Sequence, residues 1–295
     1  MPDEPPRPMI HRRLPKTSLG RKHPEAKFMR LPIARHAPSR GLSFALIAAA
    51  SSRHPYEDAT LVDPTTAAFA VADGATRAEY PDAIAGSTAI ANVVVAGLVA
   101  NANTAARDLR AAFEAANRYA RSVNHIPRAG AEEYSAVAVV AHIDNARHLR
   151  FAFLGDCGLA VYTKANDVRL ETPNGLDAAQ AHLRKRGLDD PDERRRYVAT
   201  FLRNNPQATD AEGSPVGFGA LTGEPSALSF VRSGELVLAA GDTVLAFSDG
   251  GRTLIGSHLA KLLDGLRGKA TDVDVGPVDL PDDVSIIAAT VMESE

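Results

Sequence analysis

Two kinds of hydrophobic pattern alternate along this chain. Short apolar runs rich in β-branched residues predict strands, and longer stretches with apolar residues every three or four positions predict helices. The strand pattern occurs at 42–49, 67–72, 134–143, 149–154, 159–163, 234–239, 243–248 and 284–291. The helix pattern occurs at 83–100, at 104–123 and near 192–204.

The order of these elements indicates the fold class. Strands follow one another across short connections such as Asp156-Cys157-Gly158, which favours antiparallel pairing. The helices at 83–100 and 104–123 come one after the other between strands, so the chain does not alternate strand and helix. The sequence therefore predicts an α+β protein in which helices cover antiparallel sheets.

Two segments differ from this pattern. Residues 1–40 carry ten Lys or Arg, only three acidic residues and eight of the 19 prolines, which predicts a basic, flexible tail before a domain at 41–295. The tail is either a solvated arm or a docking arm for an acidic partner. Residues 171–225 are rich in Arg, Asp, Asn, Gly and Pro, which predicts a polar flap over the site that the strands build.

Composition narrows the classes of function. Residues 41–295 carry a net charge of about −10, given the total of −3, and this leaves no basic footprint for nucleic acid. The uncharged stretch 83–106 contains several Ser, Thr and Asn residues, so it fits a helix buried between protein layers better than a membrane span. A single cysteine, Cys157, excludes an intramolecular disulfide, and the N-terminus has no apolar signal segment. We expect a cytoplasmic protein.

Acidic residues recur at the ends of the predicted strands. They are Glu57-Asp58, Asp73-Gly74, Gly155-Asp156, Asp249-Gly250 and Asp282-Asp283. Taken singly, an Asp-Gly pair after a strand is more often a turn, because both residues are turn formers. Several buried carboxylates at neighbouring strand ends, however, require a cation, and an all-oxygen donor set suits Mg²⁺ or Mn²⁺.

The segments that carry these acids resemble those of the metal-dependent PPM phosphatases, the type 2C serine/threonine phosphatases. They are SSRHPYEDA (51–59), FAVADG (69–74), YSAVAVVAHI (134–143), LRFAFLGDCGLAVY (149–162), LAFSDG (245–250) and DDVSII (282–287). They occur in the family's order over residues 41–293. The resemblance implies a four-layer α-β-β-α sandwich with a two-metal centre in a cleft at one edge.

The resemblance also implies roles for particular residues. The metal ligands would be Glu57, Asp58, Asp73, Gly74, Asp156, Asp249 and Asp282. Asp73 would bridge two Mg²⁺ or Mn²⁺ ions, Asp249 and Asp282 would complete the first ion's shell, and Asp156 would belong to a third, weaker site. Arg53 matches the family's phosphate-binding arginine. Gly250 would let the chain turn tightly away from the cleft after Asp249.

The implied reaction is hydrolysis of phosphoserine or phosphothreonine by a hydroxide that bridges the two ions. The implied partner is a phosphorylated protein, and a kinase-linked signalling protein is one candidate. Ala75-Thr76-Arg77 stands where animal and plant members have a histidine followed by glycines. This departure leaves open a non-catalytic binding or sensor module, and a phosphatase of a small phosphorylated metabolite is a third reading.

Overall fold

The structure of this protein is a computed structural model that describes residues 28–51, 56–75, 83–102, 109–124, 134–277, 280 and 282–293. The described strands are β1 (Phe28–Ser39), β2 (Leu42–Ala49), β3 (Ala59–Asp63), β4 (Ala68–Ala75), β5 (Ser135–Ile143), β6 (His148–Leu154), β7 (Gly158–Tyr162), β8 (Val168–Glu171), β9 (Arg232–Val237), β10 (Thr243–Phe247), β11 (Asp272–Pro277) and β12 (Val284–Val291). The described helices are α1 (Ala83–Ala102), α2 (Arg110–Asn124), α3 (Asp177–Arg186), α4 (Pro191–Tyr197) and α5 (Asp249–Arg267). A π-helical turn at Val198–Leu202 continues α4, and a 3₁₀ helix spans Pro225–Phe230.

The strands form two sheets, and every described pair of neighbouring strands is antiparallel. The larger sheet has seven strands in the order β11-β1-β2-β12-β10-β7-β8. The smaller sheet has five strands in the order β3-β4-β5-β6-β9. The predicted antiparallel α+β class is confirmed.

Three hydrophobic cores separate four layers. Phe44, Phe69 and Phe151 lie in the core between the two sheets, and Phe44 meets Phe69 edge to face with ring centres 5.9 Å apart. A second core lies between the small sheet and helices α1 and α2. A third lies between the large sheet and α5, where Leu262 and Leu266 are buried. The predicted α-β-β-α sandwich is therefore also confirmed.

Helix α1 shows how an uncharged helix is accommodated in this fold. Ile90, Val94 and Leu98 are fully buried in the core that α1 shares with the small sheet and α2. Asn101 donates from its side-chain amide to the carbonyl of Gly97, one turn earlier, at 2.7 Å. Among the described helices, none is both long enough and apolar enough to cross a membrane.

Strand β1 corrects the prediction of a flexible tail at residues 1–40. Its first half pairs with β11 as far as Pro32, and its second half pairs with β2 from Ile33 onward. Pro32 lies where the strand exchanges partners, and Pro38 lies in a register shift between His36 and Ser39. Proline has no backbone N–H to donate. It is tolerated at such points because the regular pattern of hydrogen bonds between strands is interrupted there. Residues 1–27 of the predicted tail lie outside the described residues.

Leu31 tests whether β1 belongs to the folded domain. Its side chain is 1% exposed within the core under α5, so Leu31→Ala should lower the free energy of unfolding by about 2–4 kcal/mol. Urea denaturation measures this difference. The neighbouring Arg30→Ala is the control: its side chain is 71% exposed and lies 3.9 Å from Asp272, so a change within about 0.5 kcal/mol is expected. Equal effects of the two substitutions would contradict the assignment.

Candidate metal centre

The predicted acidic residues lie at one edge of the sandwich because antiparallel strands bring opposite ends together. In the large sheet, Phe247 at the end of β10 pairs with Ile286, close to the start of β12. Asp249 and Asp282 therefore flank the same edge. In the small sheet, Asp73 near the end of β4 pairs with Val137 near the start of β5. The strand ends thus deliver carboxylates from both sheets.

Electrostatics shows that these carboxylates influence one another. Burial raises the pKa of Asp73 well above its ordinary value, and nearby negative charges raise it further. Those charges are the carboxylates of Asp58, Asp249, Asp156 and Asp282. Burial likewise raises the pKa of Asp58 to about 8 and that of Asp249 to about 7. The ionised cluster is thus unfavourable unless a positive charge joins it.

The donor set fits a hard divalent cation. Oδ2 of Asp58 is buried and has no hydrogen-bond partner among the described residues, so it is an oxygen with unused capacity to bind a ligand. Within the described ranges, no three His, Cys, Asp or Glu side chains lie close enough together to share one ion. An ion would therefore have to draw the carboxylates inward, and the proposed ligand set stays a prediction.

Glu57 and Gly74 are held by close packing with helix α1. The Ser87 hydroxyl donates to Oε1 of the buried Glu57 at 2.7 Å. A Cβ on Gly74 would overlap the backbone carbonyl of Ser87 and lie 3.1 Å from that of Glu57. Glycine is therefore required where β4 passes between α1 and the segment that carries Glu57.

Asp283 fixes the segment that precedes β3. Its Oδ1 accepts the backbone N–H of Ser51 at 2.7 Å, and its Oδ2 accepts that of Glu57 at 2.6 Å. These two contacts lie on either side of residues 52–55. Those four residues, which include the predicted phosphate-binding Arg53, lie outside the described residues. Asp283 itself is 2% exposed. The sequence pattern placed Asp283 only among the acids at the strand ends and gave no sign of its role as a clamp.

Ser248 and Ser285 surround Asp58 with hydroxyl groups. Both hydroxyl groups oppose the rise in the pKa of Asp58 that burial causes. The Ser248 hydroxyl accepts the backbone N–H of Ser285 at 3.1 Å and donates its proton to the carbonyl of Asp283 at 3.3 Å. Ser248 is fully buried and its proton is engaged, which does not suit a nucleophile.

The expectation that the chain turns sharply after Asp249 is wrong. Asp249 is the first residue of the 19-residue helix α5, and Gly250 continues that helix. A Cβ on Gly250 would overlap the carbonyl of Asp283. The glycine therefore permits close contact between the start of α5 and the segment before β12, and it makes no left-handed turn.

Asp156 differs from its neighbours because it has a cation nearby. Burial raises its pKa, and the Arg252 guanidinium on α5 opposes that rise. Arg252 lies 4.9 Å over the Phe247 ring and donates to the carbonyl of Thr172 at 3.2 Å. The adjacent Cys157 is fully buried, and burial raises its thiol pKa, so it packs as a small apolar residue.

The carboxylates open into a cleft of about 580 Å³. The acidic residues that line it include Glu57, Asp73, Asp156 and Asp282. The predicted flap contributes basic residues to the lining, among them Arg194, Arg195 and Arg203. The sequence has three consecutive arginines at 194–196, and only the fold shows which of them reach the cleft.

Three solved structures of serine/threonine phosphatases share this architecture. A Streptococcus agalactiae enzyme matches with a TM-score of 0.57 and 15% identity over 85% of this chain and 99% of that one. The catalytic domain of PstP, in complex with two manganese ions, matches with a TM-score of 0.54 and 18% identity over 90% of this chain and 100% of that one. The PPM phosphatase MsPP from Mycobacterium smegmatis, in complex with cacodylate, matches with a TM-score of 0.51 and 17% identity over 84% of this chain and 98% of that one.

The chain has the PPM phosphatase fold. No protein-family model and no curated protein matches the sequence significantly. Identities below 20% establish the shared architecture and leave the activity to be argued from the site. Within this PPM fold, the cleft lies where the strand ends of both sheets meet the flap.

Metal-free protein should lose stability as the pH rises. The folded-state pKa values of Asp58 and Asp249, about 8 and about 7, exceed the ordinary 3.8, so between pH 4 and 8 the folded state binds protons that the unfolded state releases. The free energy of unfolding in chelator should therefore fall across that window by an amount on the order of a few kcal/mol. Saturating Mn²⁺ should flatten the profile.

Urea denaturation at several pH values checks this expectation. Asp249→Asn should reduce both the pH dependence and the stabilisation by Mn²⁺. Asp167→Asn is a matched control, because Asp167 is exposed in the turn between β7 and β8 and should change neither. If the free energy of unfolding in chelator rises from pH 5 to pH 8, the buried carboxylates do not repel one another as inferred.

Asp283→Asn should destabilise the protein by about 1–3 kcal/mol, because an amide has one acceptor oxygen and leaves one of the two N–H groups unpaired. Thermal or urea unfolding in chelator measures the loss. Asp282→Asn is the comparison: its Oδ1 accepts the N–H of Asp283 at 2.9 Å, and asparagine preserves that acceptor. A loss for Asp282→Asn that matches that for Asp283→Asn would argue against the clamp.

Proposed function

We propose that this protein is a metal-dependent phosphatase that removes phosphate from phosphoserine or phosphothreonine in proteins. The observation that carries the proposal is the meeting of buried carboxylates from both sheets at one cleft, where Asp73 is influenced by four other aspartates. Such a cluster destabilises a folded protein through repulsion between the carboxylates, whereas a bound cation would offset that repulsion. The PPM fold adds support, since the compared structures are serine/threonine phosphatases.

The proposed cofactors are two Mg²⁺ or Mn²⁺ ions, with a third, weaker site at Asp156. Asp73 would be shared by the two ions, Asp249 and Asp282 would help to hold one, and Glu57 and Asp58 the other. The Gly74 carbonyl would bind one of the two. When bound, the ions would supply positive charge opposite the phosphoryl oxygens and a water of lowered pKa. The two manganese ions in the PstP structure support this choice of metal.

The chain's own residues would position these ligands. Ser87 holds Glu57 by a hydrogen bond of 2.7 Å, and the Ser248 and Ser285 hydroxyl groups favour the ionised form of Asp58. Asp283 fixes both ends of the segment that contains Arg53, which would bind the phosphoryl group through two parallel N–H contacts. The proposed partner is a phosphorylated protein, and the cytoplasmic location stays a prediction.

Activity should depend on both metal and carboxylates. Hydrolysis of an aryl phosphate and of a phosphothreonine peptide should require Mn²⁺ or Mg²⁺ and stop in chelator. Asp73→Asn and Asp249→Asn should each lower kcat/KM by about 100-fold or more. Arg53→Lys should raise KM, because lysine keeps the charge but loses the forked geometry. Asp167→Asn serves as the control and should retain full activity.

The two alternative readings give different results in these assays. Activity that survives chelation, or survives in Asp249→Asn, would overturn the proposal. Calorimetry that detects no Mn²⁺ binding at millimolar concentration would favour the non-catalytic module. Hydrolysis confined to small phosphorylated metabolites in a substrate panel would favour the third reading.

A further inference from the structure

Charges of opposite sign line the same cleft. Its lining includes carboxylates from the strand ends and, from the flap, Arg194, Arg195 and Arg203. A phosphate bound at the carboxylates through metal ions would leave the arginines available to the rest of the substrate. Resting on the proposed function, we infer that the flap arginines select phosphoprotein segments carrying a second anionic group near the phosphorylated residue.

The local fold explains why particular arginines reach the cleft. Asp190 caps α4, because its Oδ1 accepts the N–H groups of Asp192 and Glu193 at 2.8 and 2.9 Å. The cleft-lining residues along the helix and its π-turn are Arg194, Arg195, Val198 and Ala199. Residues spaced by three or four positions share one helical face, so this face points at the cleft. Arg196 is exposed and is not among the cleft-lining residues.

Arg194 is the most available cation on this face. Among the described residues, its guanidinium makes no hydrogen bond or ion pair, and its side chain is exposed. Arg195 is different, since it donates to Oδ1 of Asp192 on the same helix at 2.7 Å. A guanidinium without a partner can bind a carboxylate or a phosphate through two parallel N–H contacts. Arg194 is thus the main specificity-determining residue of this proposal.

The apolar part of the lining suits a peptide rather than a small polyanion. The lining also includes the apolar residues Val137, Leu176, Val198 and Phe218. A cleft of about 580 Å³ with apolar walls and a few charged groups binds ligands that bury hydrophobic atoms as well as charges. A peptide offers side chains and backbone to those walls while its two anionic groups meet the metal centre and Arg194.

Peptides that differ only beside the phosphothreonine test the inference. A first set places Asp or Glu at one flanking position at a time. A second set places phosphoserine at those positions, and a control set places Gln there. With Mn²⁺ and low salt, kcat/KM for an anionic peptide should exceed that for the Gln peptide by about fivefold or more. The excess should shrink in high salt. The first two sets distinguish a carboxylate from a second phosphate as the preferred group.

Substitutions on α4 locate the effect. Arg194→Ala should bring the ratio of kcat/KM between the anionic and Gln peptides close to one, and Arg194→Glu should reverse it. Arg196→Ala is the matched control on the same helix and should preserve the ratio. An equal loss on all peptides in Arg194→Ala would overturn the inference, because it would place Arg194 at the reacting phosphate. A wild-type ratio of one would also overturn it.

A binding measurement separates this inference from the proposed function. Fluorescence anisotropy of the labelled peptides with the full chain needs no turnover. Tighter binding of the anionic peptide, lost in Arg194→Glu and kept in Arg196→Ala, would support the inference even if no hydrolysis occurs. Loss of hydrolysis alone would overturn only the proposed function, and equal affinities for the anionic and Gln peptides would overturn the inference.

Discussion

Crowding of carboxylates at one edge of two sheets is the constraint on which the rest of this structure depends. Asp58, Asp73 and Asp249 each have a raised pKa because they are buried near other acids. Such a cluster stabilises a folded protein only when a cation or protons offset the repulsion. The architecture holds this unfavourable set in place through strong strand pairing and three hydrophobic cores.

Neutral hydrogen-bond donors orient the cluster without cancelling its charge. The Ser87 hydroxyl donates to Glu57, and the Ser248 and Ser285 hydroxyl groups favour the ionised form of Asp58. Asp283 accepts two backbone N–H groups and so fixes the adjoining segment. Hydroxyl and amide groups leave the negative potential available to a metal ion, whereas a bound arginine would compete with it. The flap supplies cationic side chains to the lining of the same cleft.

Sequence patterns predicted the central strands well and the edges poorly. Each of the eight predicted strands has a counterpart in the structure, and 284–291 matches β12 in both bounds. Strands β1, β3, β8 and β11 were not predicted; β1 was misread because its prolines and arginines suggest disorder. Helices α3 and α5 were not predicted at all, and the first two residues of α5, Asp249-Gly250, have the composition of a turn. The start of α5 packs closely against the carbonyl of Asp283.

The sequence by itself determined the fold class and which acids stand at strand ends, because hydrophobic periodicity and neighbouring residues are local properties of the chain. Only the tertiary structure decided which groups meet. It joined residues 51 and 57 to Asp283, more than 220 positions away, and brought Arg194 but not Arg196 to the cleft. Such partnerships depend on sheet order and helix rotation, which no local pattern specifies.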